Sequence, residues 1–359
     1  MFFRNLTLFR FQADTAADLA RLPEALVEHR LRPVGPQELF TRGFVPPIGR
    51  GDDAPLTHSV GTCTQFTLGG EDKLLPPAVL NEALSRKVQH IAEEEGRKVG
   101  GRERKRIKED LLTVMLARAF VVGSRMSGYV DTKHQWLVID TASRKGAENV
   151  LTQVREALGS FPAVPLAPEE GPRVLMTSWL NLGPPAGFSL GDECELRDPA
   201  TATGAIAKCS RQDLDSEEVA EHLRNGKQVF KLGLVFDDRI SFVLGEDLVI
   251  RKLRFLDVVM DALGDAEDAQ AEAEADAHFT LMTLELQRLF ALLDAIFKLS
   301  PDAPLHLHGQ AAPAHMREAA AKLDNLARED GATVTLSAGD GKVLATFGGK
   351  RSGRKTTPS

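Results

Sequence analysis

Apolar and polar side chains alternate at the start of the chain, and this period of two predicts a β-strand over residues 2–11. The same alternation returns in short segments further along. The other predicted strands are residues 59–68, 129–131, 136–140, 174–179, 230–236, 239–244 and 249–255. Short turns separate the last three strands and predict a meander, whereas the proline- and glycine-rich residues 32–55 predict a loop.

Apolar residues spaced three or four positions apart predict the helices. The predicted helices are residues 14–28, 76–95, 102–117, 143–158, 216–224, 279–297 and 314–328. Pro23 is expected to kink or divide the first helix, and Gly96 is expected to end the second. Ser143 and Asp215 are predicted N-caps, the latter in a capping box with Glu218.

The predicted helix at residues 279–297 has an apolar face, for which core packing is the favoured interpretation and a dimer interface the alternative. Strands and helices intermix without a steady βαβ alternation, so the predicted class is α+β, with mixed or antiparallel sheets. The predicted regions are an N-terminal α+β part (1–75), a helical basic arm (76–122), an α+β region with a ββα unit, the meander and the amphipathic helix (123–300), a helix and hairpin extension (301–347), and a basic disordered tail (348–359).

The composition is that of a globular protein, with 359 residues of which 43% are hydrophobic and 26% charged. The cysteines Cys63, Cys194 and Cys209 lie far apart in the sequence, so neither a disulfide framework nor a zinc site is predicted, and a reducing cytoplasm is the expected location. No apolar run approaches the roughly 20 residues that cross a bilayer, so no membrane partner is expected.

The distribution of charge indicates a polyanionic partner. Between Arg86 and Lys108, nine Lys/Arg face four Glu, a balance of +5 in a chain whose net charge is −7. A helical arm of this length would reach roughly 35 Å along the phosphates of a duplex. The candidate DNA contacts in the arm are Arg86, Lys87, Arg97, Lys98, Arg102, Arg104, Lys105, Arg106 and Lys108. A solvated helix surface without a partner is the alternative.

An acidic stretch suggests a second hypothesis. From Asp257 to Glu285 there are nine Asp/Glu and no Lys/Arg. An acidic exterior would repel nucleic acid and confine binding to a local basic surface. In the alternative hypothesis, the protein acts on another protein by direct contact and uses this stretch as a DNA mimic.

No catalytic motif was found in the sequence. Gly339, Gly341 and Lys342 lie in a predicted hairpin turn and do not form a phosphate-binding loop, and His306 and His308 lack a third metal ligand. No catalytic residue, metal or cofactor is therefore predicted, and a nuclease or other hydrolase is the least favoured alternative.

Several segments occur in one order along the chain as far as Ser300: FFRNLTLFRF, GFVPPIGRGDDAPLTH, KLLPPAVLNEAL, LARAF, VIDTAS, LGSFPAVPL, RQDLDSEE and KLRFLD. Together they resemble the recombination-associated protein RdgC family of bacteria. The resemblance implies a non-enzymatic, nucleoid-associated protein with a horseshoe-shaped monomer. It also implies a homodimer that closes head-to-head and tail-to-tail into a ring around double-stranded DNA, without sequence preference, and so restrains a recombinase. In the alternative hypothesis, the protein regulates the recombinase by direct contact through the acidic stretch.

The resemblance also assigns roles to three residues. Phe120 in LARAF is expected at the dimer interface, with a core position as the alternative. Arg211 and Gln212 are expected to contact DNA just before a helix N-terminus, where the dipole favours an anion, with a solvated loop as the alternative.

Overall fold

The computed structural model describes residues 2–51, 53–168, 171–200, 204–261, 271–299, 333–337 and 343–348. The chain divides into two units, residues 1–301 and 302–359. Within the described ranges, no helix is both long enough and apolar enough to span a bilayer.

One large antiparallel sheet organises the first unit. Its strands are β1 (Leu6–Arg10), β2 (Phe40–Val45), β3 (Thr57–Val60), β4 (Cys63–Leu74), β5 (Phe120–Asp131), β6 (Trp136–Asp140), β7 (Val164–Pro165), β8 (Phe188–Arg197), β9 (Ile206–Ser210), β10 (Gln228–Phe236), β11 (Ile240–Gly245) and β12 (Ile250–Phe255). The order is β2-β4-β5-β6-β1-β12-β11-β10-β8-β9, with β3 on β4 and β7 on β1.

Helices accompany this sheet, which confirms the α+β class. They are α1 (Ala16–Leu19), α2 (Leu22–Glu28), α3 (Pro77–Glu95), α4 (Gly101–Leu116), α5 (Arg144–Leu158), α6 (Pro172–Leu182), α7 (Glu217–Arg224), α8 (Asp257–Met260) and α9 (Ala271–Phe297). The first predicted helix is divided close to Pro23, and α3 ends at Gly96, whose φ of 65° suits glycine.

Local signals were most reliable where a cap or turn agreed with the apolar pattern. The hydroxyl of Ser143 accepts a hydrogen bond from the backbone N–H of Gly146 at 3.1 Å, which confirms the predicted N-cap of α5. Strands β10, β11 and β12 form the predicted meander, and the turn at Asp237 and Asp238 has positive φ at both residues. The apolar face of α9 is buried, which confirms core packing.

The strand predicted at residues 174–179 and the loop predicted at residues 32–55 were wrong in whole or in part. Residues 174–179 belong to helix α6, because the buried side chains of Met176, Trp179 and Leu180 recur at helical spacing. Residues 32–55 are not all loop, because they include strand β2. At Gly43 of this strand, a Cβ atom would lie 2.5 Å from the backbone of Leu31. The missing side chain is what allows this strand to pass so close to its neighbour.

Three further features differ from the prediction. Residues 59–68 contain parts of two strands, because the chain reverses at Gly61, where φ is 59°. Ser216 occupies the N-cap position of α7 without a side-chain capping bond, so the capping box predicted at Asp215 is absent. Strands β8 and β9 were not predicted.

The second unit is described only as a hairpin, in which β13 (Thr333–Ser337) pairs with β14 (Val343–Gly348). This confirms the predicted hairpin. The predicted helix at residues 314–328 and the tail beyond residue 348 lie outside the described residues. The other region boundaries remain predictions, although strands from residues 1–75 and 123–300 share the one sheet.

Strand β1 separates two hydrophobic cores. Leu6 and Leu8 are buried in the core that α6 and α9 cover, whereas Phe9 belongs to the core beneath α2 and α5. Successive side chains point to opposite faces of a strand, so five residues serve both cores.

Arg10 ends this strand as a buried cation. Its guanidinium lies 3.6 Å from the centre of the Trp136 ring, donates a hydrogen bond to the His134 carbonyl at 2.7 Å, and forms an ion pair with Asp294 of α9. The side chain of Arg10 is 9% exposed. This pair therefore joins β1 to α9 where water is largely excluded.

We expect Asp294→Ala to lower the free energy of unfolding by about 2 to 3 kcal/mol, because it leaves the buried Arg10 charge without its partner. Glu217→Ala removes the partner of Arg224 in an exposed pair and should cost less than about 1 kcal/mol. Urea denaturation of both variants provides the measurement. Equal destabilisation of the two variants would contradict the role given to the Arg10–Asp294 pair.

Candidate nucleic-acid interface

Helices α3 and α4 form the predicted basic arm. They pack on each other, and the chain reverses between Gly96 and Gly100. Leu80 and Leu84 are buried on α3, and Leu116 is buried on α4. The other apolar positions of the arm are half-buried or exposed, so most of its surface is available to a partner.

Six of the nine predicted arm cations form no salt bridge with a described residue. These are Lys87, Lys98, Arg102, Arg104, Arg106 and Lys108. Arg102 with Arg106, and Arg104 with Lys108, are like charges four residues apart, a spacing that destabilises a helix. An anion bound along α4 would relieve both repulsions.

The remaining three arm cations are paired within the arm. Arg86 contacts Glu82 at 2.9 Å, and Lys105 lies 3.9 Å from Glu109. Arg97 contacts Glu95 and Glu103 at 2.6 and 2.7 Å. Hydrogen bonds, chiefly to Glu103, raise the pKa of Arg97 above its ordinary value. Arg97 thus bridges the end of α3 to the start of α4 and is less available to DNA than predicted.

The arm joins the sheet at a projecting end of the β4–β5 ribbon. Strand β5 pairs with β4 along twelve residues but with β6 only from Gly128 onward. The first six residues of β5 are exposed, and Phe120 is 81% exposed. The core alternative for Phe120 is therefore wrong. Its location suits the predicted interface, and that role remains untested.

Other exposed apolar residues lie near Phe120 in the strand register. Leu74 is its partner on β4, Val121 and Val122 follow it on β5, and Leu39 and Phe40 lie at the start of β2.

Helices α3 and α4 border a groove of about 810 Å³. Its lining is apolar at positions such as Val79, Leu111 and Met115, and it also includes Glu82, Arg86 and Lys87. The protomer therefore carries an apolar projection at Phe120 and a largely apolar hollow on the arm.

The other half of the sheet has a wide surface hollow of about 1250 Å³ across β8 to β12. Its cations are Arg211, Lys252 and Arg254, and its carboxylates are Asp192, Glu193 and Asp213. Lys252 is paired with Glu193, while Arg211 and Arg254 form no salt bridge with a described residue. The hollow therefore has mixed charge, in contrast to the arm.

Arg211 and Gln212 lie at the end of β9, but they differ in availability. Arg211 is exposed and has a φ of 55°. The Gln212 backbone N–H donates to the Asp192 carbonyl at 3.2 Å, and its side-chain amide donates to Glu218 at 2.7 Å. Because the protein's own Glu217 and Glu218 occupy the first turn of α7, that helix end disfavours a phosphate.

Lys252 and Arg254 were not predicted as site residues. Both are exposed on β12, and Leu253 between them is buried. Lys252 lies at a bulge with a φ of 53°, and the exposed–buried–exposed order still places both cations in the lining of the hollow. That alternation in KLRF is the signal that could have identified them.

Two carboxylates of the acidic stretch, residues 257–285, form ion pairs within the protein. Glu285 is 5% exposed and pairs with Arg239 at 2.6 Å and Arg288 at 3.1 Å. Asp276 lies 3.0 Å from His58. Residues 262–270 of the stretch lie outside the described residues.

In the part of the chain that the structure describes, no group of three or more His, Cys, Asp or Glu side chains is arranged to hold a metal ion. The absence of a catalytic residue, metal or cofactor stays a prediction from the sequence.

Comparison with known proteins covers the first unit. A family model described as "Putative exonuclease, RdgC" matches residues 1–300. The chain is 51% identical over 301 residues to the recombination-associated protein RdgC of Xanthomonas oryzae pv. oryzae (strain MAFF 311018), and 48% identical over 301 residues to that of Stenotrophomonas maltophilia (strain R551-3). Each match covers 84% of this chain and 99% of the relative.

We expect Phe120→Ala to change the free energy of unfolding by less than about 0.5 kcal/mol, because an exposed side chain contributes little to the protomer. Phe66, which is 0% exposed in the core, is the matched control, and Phe66→Ala should cost about 3 to 5 kcal/mol. Denaturation at low protein concentration, where self-association is minimal, measures both. Strong destabilisation by the change at Phe120 would show that this residue supports the fold.

Proposed function

The chain belongs to the RdgC family of recombination-associated proteins, and on this premise we propose that it binds double-stranded DNA without sequence preference, as a homodimer that closes into a ring. In this proposal the ring occupies the duplex and thereby restrains strand exchange by a recombinase. The horseshoe-shaped protomer and the location at the nucleoid belong to the same proposal.

The observation that carries the proposal is the set of exposed arm cations without salt-bridge partners among the described residues. A chain of net charge −7 that keeps six such cations on one helical hairpin concentrates its positive potential there. Lys and Arg side chains bind phosphates by displacing condensed counterions, which requires no base contact. Affinity without sequence preference is the expected result.

The mixed charge of the sheet hollow makes it a secondary contact in this proposal. Arg211 and Arg254 offer guanidinium groups that can each donate two hydrogen bonds to a phosphate. The carboxylates beside them would repel the same phosphate. We therefore expect most of the salt dependence to arise from the arm, with a smaller contribution from the hollow.

Closure of the ring is proposed to use the apolar surface around Phe120. In a two-fold contact the same surface of both copies meets. The projection of each protomer can therefore enter the hollow of the other. Phe120 and the groove between α3 and α4 offer such a pair. Burial of each Phe side chain would contribute roughly 1.5 to 3 kcal/mol.

We expect the triple variant Arg102→Gln, Arg104→Gln, Arg106→Gln to bind duplex DNA with a shallower salt dependence. The slope of log K against log salt should fall by about 0.9 for each phosphate that the variant no longer neutralises. The matched control, Arg21→Gln, Lys145→Gln, Arg224→Gln, removes the same charge from exposed sites elsewhere and should leave the slope unchanged. Titration at several salt concentrations gives both slopes.

Two outcomes would contradict this assignment. If the arm variant and the control were weakened equally, net charge alone would explain binding. If wild-type affinity did not change between about 50 and 200 mM salt, phosphate contacts would not be its source.

A ring also predicts a difference between circular and linear duplex. Wild-type protein loaded at low salt should stay on a closed circle after a high-salt wash and leave a linear fragment through its ends. Phe120→Ala should abolish this retention while keeping the wild-type salt slope at low salt. Equal retention on both DNA forms would exclude topological closure.

The same samples, incubated with Mg²⁺, test enzymatic activity. The proposal predicts circles that remain closed and fragments that keep their length. Shortened fragments or opened circles, absent from a mock-purified control, would instead favour the exonuclease named in the family description.

A further inference from the structure

Two of the three cysteines, far apart in sequence, lie directly opposite each other in the sheet. In the antiparallel pair β8–β9, Cys194 is the register partner of Cys209. Opposed residues of such a pair have Cα atoms about 4.5 to 5.5 Å apart and side chains on the same face. That separation lies within the range of about 4.4 to 6.8 Å found in disulfides.

The two thiols differ in their environments. Cys194 is buried in the core, whereas Cys209 is half-buried at its margin. Burial and the neighbouring Cys209 raise the pKa of Cys194 to about 12, so its thiolate is scarce near neutral pH. Cys209 is therefore the thiol that an oxidant from solvent reaches first.

We propose that Cys194 and Cys209 are a reversible oxidation site, which a peroxide converts into a disulfide between β8 and β9. The Cys209 thiolate attacks one peroxide oxygen, breaks the O–O bond and becomes a sulfenic acid while the other oxygen leaves as water. The sulfur of Cys194 then attacks that of Cys209, the S–O bond breaks, and a second water leaves. Two thiols have given up two electrons and two protons, and one peroxide has been reduced to two waters.

The disulfide would move β9, the strand that Arg211 directly follows. Directly opposed Cβ atoms lie about 4.5 to 5.5 Å apart in a sheet, whereas a disulfide brings them to about 3.8 Å. Strand β8 is held between β10 and β9, while β9 ends the strand order. The adjustment of about 1 Å therefore falls on β9, two residues before Arg211.

A consequence for DNA follows, and it rests on the proposed function. Arg211 follows β9 at a positive φ, and the neighbouring Gln212 is hydrogen-bonded to Asp192 at the end of the same ladder. A shift of β9 moves the Arg211 guanidinium relative to Arg254 across the hollow. We therefore expect the oxidised protein to bind duplex DNA severalfold more weakly than the reduced protein.

Peptide mapping tests the disulfide without any DNA. Purified full-length protein is treated with hydrogen peroxide, its remaining thiols are alkylated, and it is cleaved after Lys and Arg. The expected product is the peptide 174–197 joined to the peptide 209–211, which separates again on addition of dithiothreitol. The peptide 51–73, which carries the buried Cys63, should be recovered unlinked.

Matched variants complete the test. Cys209→Ser should abolish the linked peptide and make DNA affinity insensitive to peroxide, whereas Cys63→Ala should leave both responses unchanged. Cross-links to Cys63, or only singly oxidised Cys209, would overturn the pairing. Equal affinity of oxidised and reduced protein would overturn the effect on DNA. If the reduced protein did not bind DNA, the proposed function would be refuted. The disulfide proposal would still be tested, because peptide mapping detects the linked peptide without DNA.

Discussion

The structure depends on a short strand that is buried on both faces. All five residues of β1 are buried, and they alternate between the two cores. On one side β1 pairs with β6 along its whole length, and on the other it meets β12 at a single register pair, Leu6 with Ile250. One continuous sheet thereby supports two cores, and the pair of Arg10 with Asp294 ties β1 to α9 where the two halves meet. A strand with an open polar face could not serve two cores, since every second side chain would lie in water.

Unequal strand lengths then determine what is exposed. Strands β4 and β5 each have twelve residues, whereas β6 has five. The far end of the β4–β5 ribbon consequently extends past β6, where the first six residues of β5 are exposed, and both arm helices attach there. Exposure of Phe120 is thus a result of sheet geometry, and the same geometry places the arm cations away from the cores. An apolar projection on a ribbon that lacks a layer above it gains stability only from something outside the protomer.

Sequence patterns predicted those elements whose signal is local. The capped helix α5, the meander and the buried face of α9 each combine an apolar period with a cap or turn. Helix α6 was misread because the segment considered, VLMTSW, is too short to distinguish a helix from a strand by periodicity. Strands β8 and β9 were missed because β8 carries several charged residues and the apolar residues of β9, in IAKCS, do not alternate regularly with polar ones. The arm cations could be singled out as a candidate site because they are concentrated within residues 86–108, and their role stays a prediction. Lys252 and Arg254 required knowledge of the face that β12 leaves open, and the opposition of Cys194 and Cys209 required the register of two unpredicted strands.

Phosphate contacts and apolar closure respond to salt in opposite senses, and this separates the two halves of the proposed mechanism. Counterion release weakens each cation–phosphate contact as salt rises, whereas burial of apolar surface is unaffected or slightly strengthened. The arm joins the sheet beside Phe120, so the residues proposed for both interactions lie at one end of the same sheet. High salt would then break the cation–phosphate contacts, while the proposed apolar contact would still hold the two copies together. A protein built this way can be free to slide along a duplex and still be unable to leave it sideways, because affinity and enclosure depend on different forces.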